Sequence, residues 1–131
     1  MPTTTGYRRG NDAGVQLRDV ILVSFPFTDQ TGTKKRPAVI VSNAAYNQER
    51  RDAMIMAITS RLPPAAAHEA LIQDWQAAGL LKSSVMKPVI ATIEQPLIIK
   101  RLGTFSARDQ AALRKIIGAV LCRCDDEYLG P

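Results

Sequence analysis

The chain holds one histidine and two cysteines among its 131 residues. Each scarcity removes a class of chemistry. A single imidazole, His68, cannot run an acid–base cycle in which one ring takes a proton while a second gives one. Cys122, Cys124 and His68 make three metal ligands at poor spacing, one short of the four that a structural zinc site takes. No apolar run is long enough for a transmembrane helix. Residues 1–10 lack the apolar stretch of a signal peptide, so the expected compartment is the cytoplasm and the two thiols are expected reduced. There is no glycine-rich phosphate loop and no G-x-S-x-G elbow, which excludes kinase, oxidoreductase and serine-hydrolase readings. No metal and no other cofactor is expected. Internal repeats and low-complexity blocks are also missing.

What is present is one domain's worth of chain with an ordinary globular composition, 46% apolar and 22% charged. The excess of base over acid is +5, and it is unevenly placed. Residues 1–75 carry +2, residues 76–124 carry +6, and Asp125-Asp126-Glu127 returns −3. A basic body of this kind fits a polyanion such as nucleic acid, and fits plain solubility charge as well. The organisation reads as a loose arm over 1–14, one domain over 15–124 and an acidic tail over 125–131.

Short β-branched runs dominate the domain. Val20 to Phe25 is a strand that Pro26 ends. Residues 27–36 are polar and turn-forming and read as an exposed loop. Residues 37–42 form a second strand with Pro37 at its first position. Residues 43–51 form a turn with a short helix, 53–59 a third strand and 68–72 a fourth. Residues 83–93 read as one or two strands around Pro88, and 97–102 as the last. Ser106-Ala107-Arg108-Asp109 opens a helix in the manner of a capping box. Leu113, Ile116, Ile117, Val120 and Leu121 then fall on one helical face, with Arg108, Arg114 and Lys115 on a solvated back. Many short strands and one terminal helix predict a mainly β domain, a small antiparallel barrel or curled sheet with the helix packed on it.

Two stretches could handle a phosphodiester. Lys34-Lys35-Arg36 puts three cations at the end of a polar loop, and a guanidinium grips two phosphate oxygens at once. Thr59-Ser60-Arg61 puts two hydroxyls and a second guanidinium at a strand end. If the two ends lie side by side, the pocket stabilises the charge that develops when an RNA 2′-hydroxyl attacks its own phosphodiester. Taken singly, the first stretch reads equally as a solvated loop and the second as a turn.

Together the segments resemble the MazF/PemK family of bacterial toxins. The resemblance rests on Asp19-Val20-Ile21-Leu22-Val23 with Phe25-Pro26-Phe27, Lys35-Arg36-Pro37-Ala38-Val39-Ile40-Val41-Ser42, Tyr46-Asn47, Ala57-Ile58-Thr59-Ser60-Arg61 and Ala78-Gly79-Leu80-Leu81-Lys82-Ser83-Ser84-Val85. Ala91-Thr92-Ile93 and Lys100-Arg101-Leu102-Gly103 also fit, and the whole spans residues 18 to about 122. The resemblance implies an SH3-like small barrel. It implies a dimeric, metal-independent endoribonuclease that cuts single-stranded RNA at short sequences and is blocked by a cognate antitoxin. By the same resemblance Arg36 stands at the catalytic arginine and Thr59 at the catalytic threonine. Ser60 and Arg61 would line the pocket, with Lys34 and Lys35 against the RNA. Two departures stand out. Thr31-Gly32 occupy the place of a loop Glu-Gln, for which Asp29 and Gln30 are the nearest substitutes, and Arg18 stands where a glycine is usual. The expected function is therefore a toxin endoribonuclease. A gyrase-poisoning toxin of the CcdB kind and a nucleic-acid-binding module without cleavage are the alternatives.

Overall fold

The computed structural model describes residues 16–25, 34–62, 64 and 66–122. The arm over 1–14, the acidic tail over 125–131 and the loop residues Asp29 and Gln30 lie outside the described residues. The element order is β1 (Asp19–Phe25), β2 (Lys34–Ile40), α1 (Ala44–Glu49), β3 (Asp52–Thr59), β4 (Ala70–Leu71), β5 (Val85–Glu94), β6 (Ile98–Thr104) and α2 (Ala107–Ile117). The strands form one antiparallel sheet in the order β4-β5-β3-β2-β1-β6.

That order forces the sheet to curl. β5 and β6 lie four strand intervals apart, which in a flat sheet is about 19 Å. Only a 3₁₀ turn, Gln95–Leu97, connects them, and such a turn spans roughly 8 Å. The sheet therefore bends until its β5 and β6 ends meet. The Gln95 side chain pins the closure by donating to the carbonyls of Asn47 and Asp52 at 2.8 and 3.0 Å.

Strand alternation then sorts the apolar residues into two cores. Ile21, Val23, Ala38, Ile40, Ala53, Ile55, Ile93 and Ile98 fill the inside of the curl. Val20, Val39, Met56, Ile58 and Met86 face the other way and pack with Phe105, Leu113 and Ile116, the helix-side core. The result is the small antiparallel barrel with a C-terminal helix expected from the sequence.

Four local expectations are corrected. Lys34 to Arg36 are not loop residues but the start of β2, because β1 runs alongside and supplies backbone partners as far as Lys34 opposite Phe25. Pro37 therefore sits inside the strand. It is tolerated because the β2–β3 ladder begins only at Ala38, so this stretch of β2 pairs on one side alone. Of the one or two strands expected around Pro88 there is one, as that reading allowed, with an irregularity in its ladder to β3. The fourth strand is two residues long. His68 lies before it in a left-handed turn, φ 64°.

Helix α2 begins as read, with Ser106 as N-cap accepting from the Asp109 N–H. The Asp109 carboxylate does not bond back to the cap's N–H. Fully buried, it accepts from the backbone N–H groups of Gln73 and Asp74 at 2.7 and 2.8 Å, which ties the helix to the turn before β5. Arg108 is not a bystander on the helix back: its guanidinium grips Asp74 at 2.8 and 2.9 Å. Leu113 and Ile116 are buried as expected, but Val120 and Leu121 are exposed. The helix gives way to a π turn over Gly118–Cys122, whose i→i+5 spacing carries these two side chains off the buried stripe.

Candidate active site

Arg36 belongs to the inner face of the barrel. It lies two residues before Ala38 on β2, and Ala38 packs in the inner core. Thr59 lies two residues after Ala57 on β3, and Ala57 packs against the same core. The β2–β3 register pairs Ala38 with Ala57. Arg36 and Thr59 lie just past the end of that ladder, 23 positions apart in the chain, on the same inner face of adjacent strands.

A valine flanks each. Val23 pairs with Arg36, and Val85 pairs with Thr59. Both valines are fully buried, so the guanidinium and the hydroxyl are set in an apolar wall at the end of the barrel. The polar atoms here are unevenly satisfied. The Thr59 Oγ1 accepts from the Arg61 N–H at 3.2 Å and keeps its own proton to donate. The Arg36 Nε is buried and has no hydrogen-bond partner among the described residues. A buried donor left unpaired costs about 1–3 kcal/mol, so this one calls for an acceptor from beyond the described residues. No salt bridge recorded among the described residues involves Arg36.

The remaining sequence candidates distribute as follows. Lys35 is exposed and falls on the opposite face of β2 from Arg36. Lys34 pairs with Phe25 through the backbone, on the turn side of Arg36. Ser60 and Arg61 follow Thr59 at the strand end and are exposed. Asp29 and Gln30 are outside the described residues. No group of three or more His, Cys, Asp or Glu side chains among the described residues could hold a metal ion. Sequence reading missed the apolar frame of Val23 and Val85, because their neighbours across the sheet are set by register and not by chain order.

Comparison with known proteins agrees with this fold. Residues 17–121 match the family model described as PemK-like, MazF-like toxin of type II toxin-antitoxin system. The chain belongs to that family. Among solved structures it is similar to MazF from Deinococcus radiodurans, at 21% identity and a TM-score of 0.66, over 84% of this chain and 98% of the other. It is also similar to an endoribonuclease from Mycobacterial species in complex with its cognate antitoxin, at 17% identity and a TM-score of 0.63, over 84% and 94%. A third is the Mycobacterium tuberculosis toxin MazF-mt6, at 20% identity and a TM-score of 0.62, over 78% and 94%. At these identities the structural likeness carries the fold, and the family model carries the membership. No curated protein matches the chain. MazF/PemK toxins are generally endoribonucleases. Arg18, at the position where the sequence resemblance leads one to expect glycine, is left-handed, φ 73°, the conformation that glycine adopts most freely.

Proposed function

We propose that this MazF/PemK-family toxin is a metal-independent, sequence-specific endoribonuclease of single-stranded RNA, and that Arg36 and Thr59 act together on the scissile phosphate. The observation that carries the reading is the buried Arg36 Nε, without a hydrogen-bond partner among the described residues, on the same barrel face as the Thr59 hydroxyl of the adjacent strand. A phosphate oxygen supplies the acceptor that this Nε lacks. The second oxygen accepts a hydrogen bond from Thr59 Oγ1, one lone pair of which is already engaged by the Arg61 N–H. As the 2′-oxygen forms its bond to phosphorus and the bond to the 5′-oxygen breaks, charge builds on those two oxygens. Donors already in place in an apolar wall stabilise it most where it is greatest. Arginine keeps its proton at ordinary pH, so Arg36 serves as a charge acceptor's partner and not as the base. The 2′-hydroxyl gives up its proton and the departing 5′-oxygen gains one, exchanged with solvent, so the products are a 2′,3′-cyclic phosphate and a 5′-hydroxyl.

The protein is proposed to work as a homodimer in the cytoplasm, with a cognate antitoxin that covers the RNA site. Large apolar side chains such as Leu81, 93% exposed, and Leu121, 64% exposed, are available for such partners. No helix among the described residues is long and apolar enough to cross a membrane.

The test is incubation with a long single-stranded RNA in excess EDTA. Discrete fragments ending in cyclic phosphate, lost with Arg36→Ala and with Thr59→Ala, are expected. Intact RNA with a retained gel shift would identify a binder without cleavage. Trapped gyrase–DNA complexes would identify a gyrase poison. Sedimentation at micromolar concentration should give a dimer, and a monomer would contradict the dimeric assignment.

A further inference from the structure

The β3–β5 ladder is interrupted at one place, beside the candidate site. Met56 pairs with Ile90 and Ile58 with Met86, so Ala57 faces three residues of β5, Lys87, Pro88 and Val89. Bulges of this kind bend a strand and re-aim its side chains, and they concentrate next to active sites. Pro88, with no N–H to give, sits within the interruption, where no ladder bond is lost.

Beside the bulge, the packing of Met86 fixes which way its neighbours on β5 turn, while Val89 within the bulge is exposed. Met86 and Ile90 pack on the helix side, while Ala91 and Ile93 pack inside the curl. Val85 and Lys87 flank Met86 and so turn to the opposite face, that of Thr59 and Arg36. Lys87 lies two residues along β5 from Val85, the partner of Thr59. That diagonal is roughly 7–8 Å, within reach of a lysine side chain. The residues of β2 and β3 beside this route are Ala38 and Ala57, whose methyl groups leave it open. Lys87 is half-buried, and no salt bridge recorded among the described residues involves it.

We propose that Lys87 is a second phosphate-binding cation of this site, holding the RNA backbone at or next to the phosphate that Arg36 and Thr59 engage. The proposal rests on the ribonuclease reading, and two measurements separate them. The first is cleavage of unmodified single-stranded RNA under single turnover. Lys87→Gln should slow it about 10- to 100-fold, the effect of removing one charge-assisted hydrogen bond, and Lys87→Arg should restore most of the rate. The second is binding of a fully 2′-O-methylated single-stranded RNA of mixed sequence, which has no attacking hydroxyl. The slope of log affinity against log salt should fall by about 0.7 in Lys87→Gln and return in Lys87→Arg, since that is the contribution of one phosphate contact on a single strand. Thermal unfolding should be unchanged in both variants. A wild-type salt slope and rate in Lys87→Gln would overturn the proposal. So would equal losses in the glutamine and arginine variants, which would mark a packing role. Absence of cleavage by the wild type would overturn the ribonuclease reading instead, while the salt slope would still report on Lys87.

Discussion

Arg18 holds a φ of 73°, a conformation that costs an L-residue with a β-carbon about 1–2 kcal/mol. The surroundings demand it. Its N–H donates to the Ile40 carbonyl at 2.9 Å, and its carbonyl accepts from the Phe105 N–H at 3.0 Å, so the chain is pinned on both sides just before β1. The side chain partly compensates by donating to Gln110 Oε1 at 2.7 Å. Two substitutions separate these effects. Arg18→Ala keeps the strain and loses the bond, and should cost about 1 kcal/mol. Arg18→Gly loses the bond but relieves the strain, and should lie within about 0.5 kcal/mol of the wild type. Urea unfolding measures both, and an alanine variant as stable as the glycine variant would contradict the account. Gly79 is the sharper case. Its φ is +83°, and a β-carbon there would stand 2.1 Å from the Leu102 carbonyl oxygen. Gly79→Ala should cost about 3 kcal/mol, read by the same unfolding curves, because strain and a backbone clash coincide.

Among the elements, α2 depends on a polar clasp at its first turn. Asp74 receives the Arg108 guanidinium and the Ser106 hydroxyl, the latter at 2.6 Å. The hydrogen bonds from Arg108 first, and from Ser106 second, hold the Asp74 carboxyl down at about 2, below its ordinary 3.8. The folded value is the lower one, so the stabilisation is complete above about pH 4 and is lost as pH falls through about 2. Arg108→Ala should therefore move the acid-unfolding midpoint, followed by circular dichroism, to higher pH. An unmoved midpoint would show that the clasp does not contribute. The clasp also shows where sequence reading stops. The N-cap and the apolar stripe through Leu113 and Ile116 were legible because both are local patterns within a helix. The partner of Arg108 was not, since Asp74 lies 34 residues away. Val120 and Leu121 were placed on the stripe by assuming that the α-helical period continued, and the π turn ends it. β1 and β3 were legible as compact β-branched runs. The first turn of β2 was not, because its cations look like loop and only the backbone of β1 makes them strand.

For the molecule as a whole, the curl of the sheet follows from one short connection, Gln95–Leu97, between strands on distant sides of the hydrogen-bonding order. Curling buries Ile93 and Ile98 in the inner core and gives the barrel an end, where Arg36 stands beside Val23 and Thr59 beside Val85 on neighbouring strands. Arg36 and Thr59 stand out in the sequence only through the resemblance of their flanking motifs, and that β2 and β3 are neighbours on which both share a face depends on a sheet order that no local pattern encodes. β6 stays an edge, yet its ladder with β1 shifts twice and it exposes Lys100 and Arg101, which disfavours pairing with another chain. The central claim is that the guanidinium and the hydroxyl act as one unit on one phosphate. Single-turnover RNA cleavage by Arg36→Ala, Thr59→Ala and the double variant tests it most directly. Each single change should slow cleavage by about 100-fold or more, and the double variant should be little slower than the worse single one. Losses that simply multiply in the double variant, or a single variant that cleaves at the wild-type rate, would contradict it.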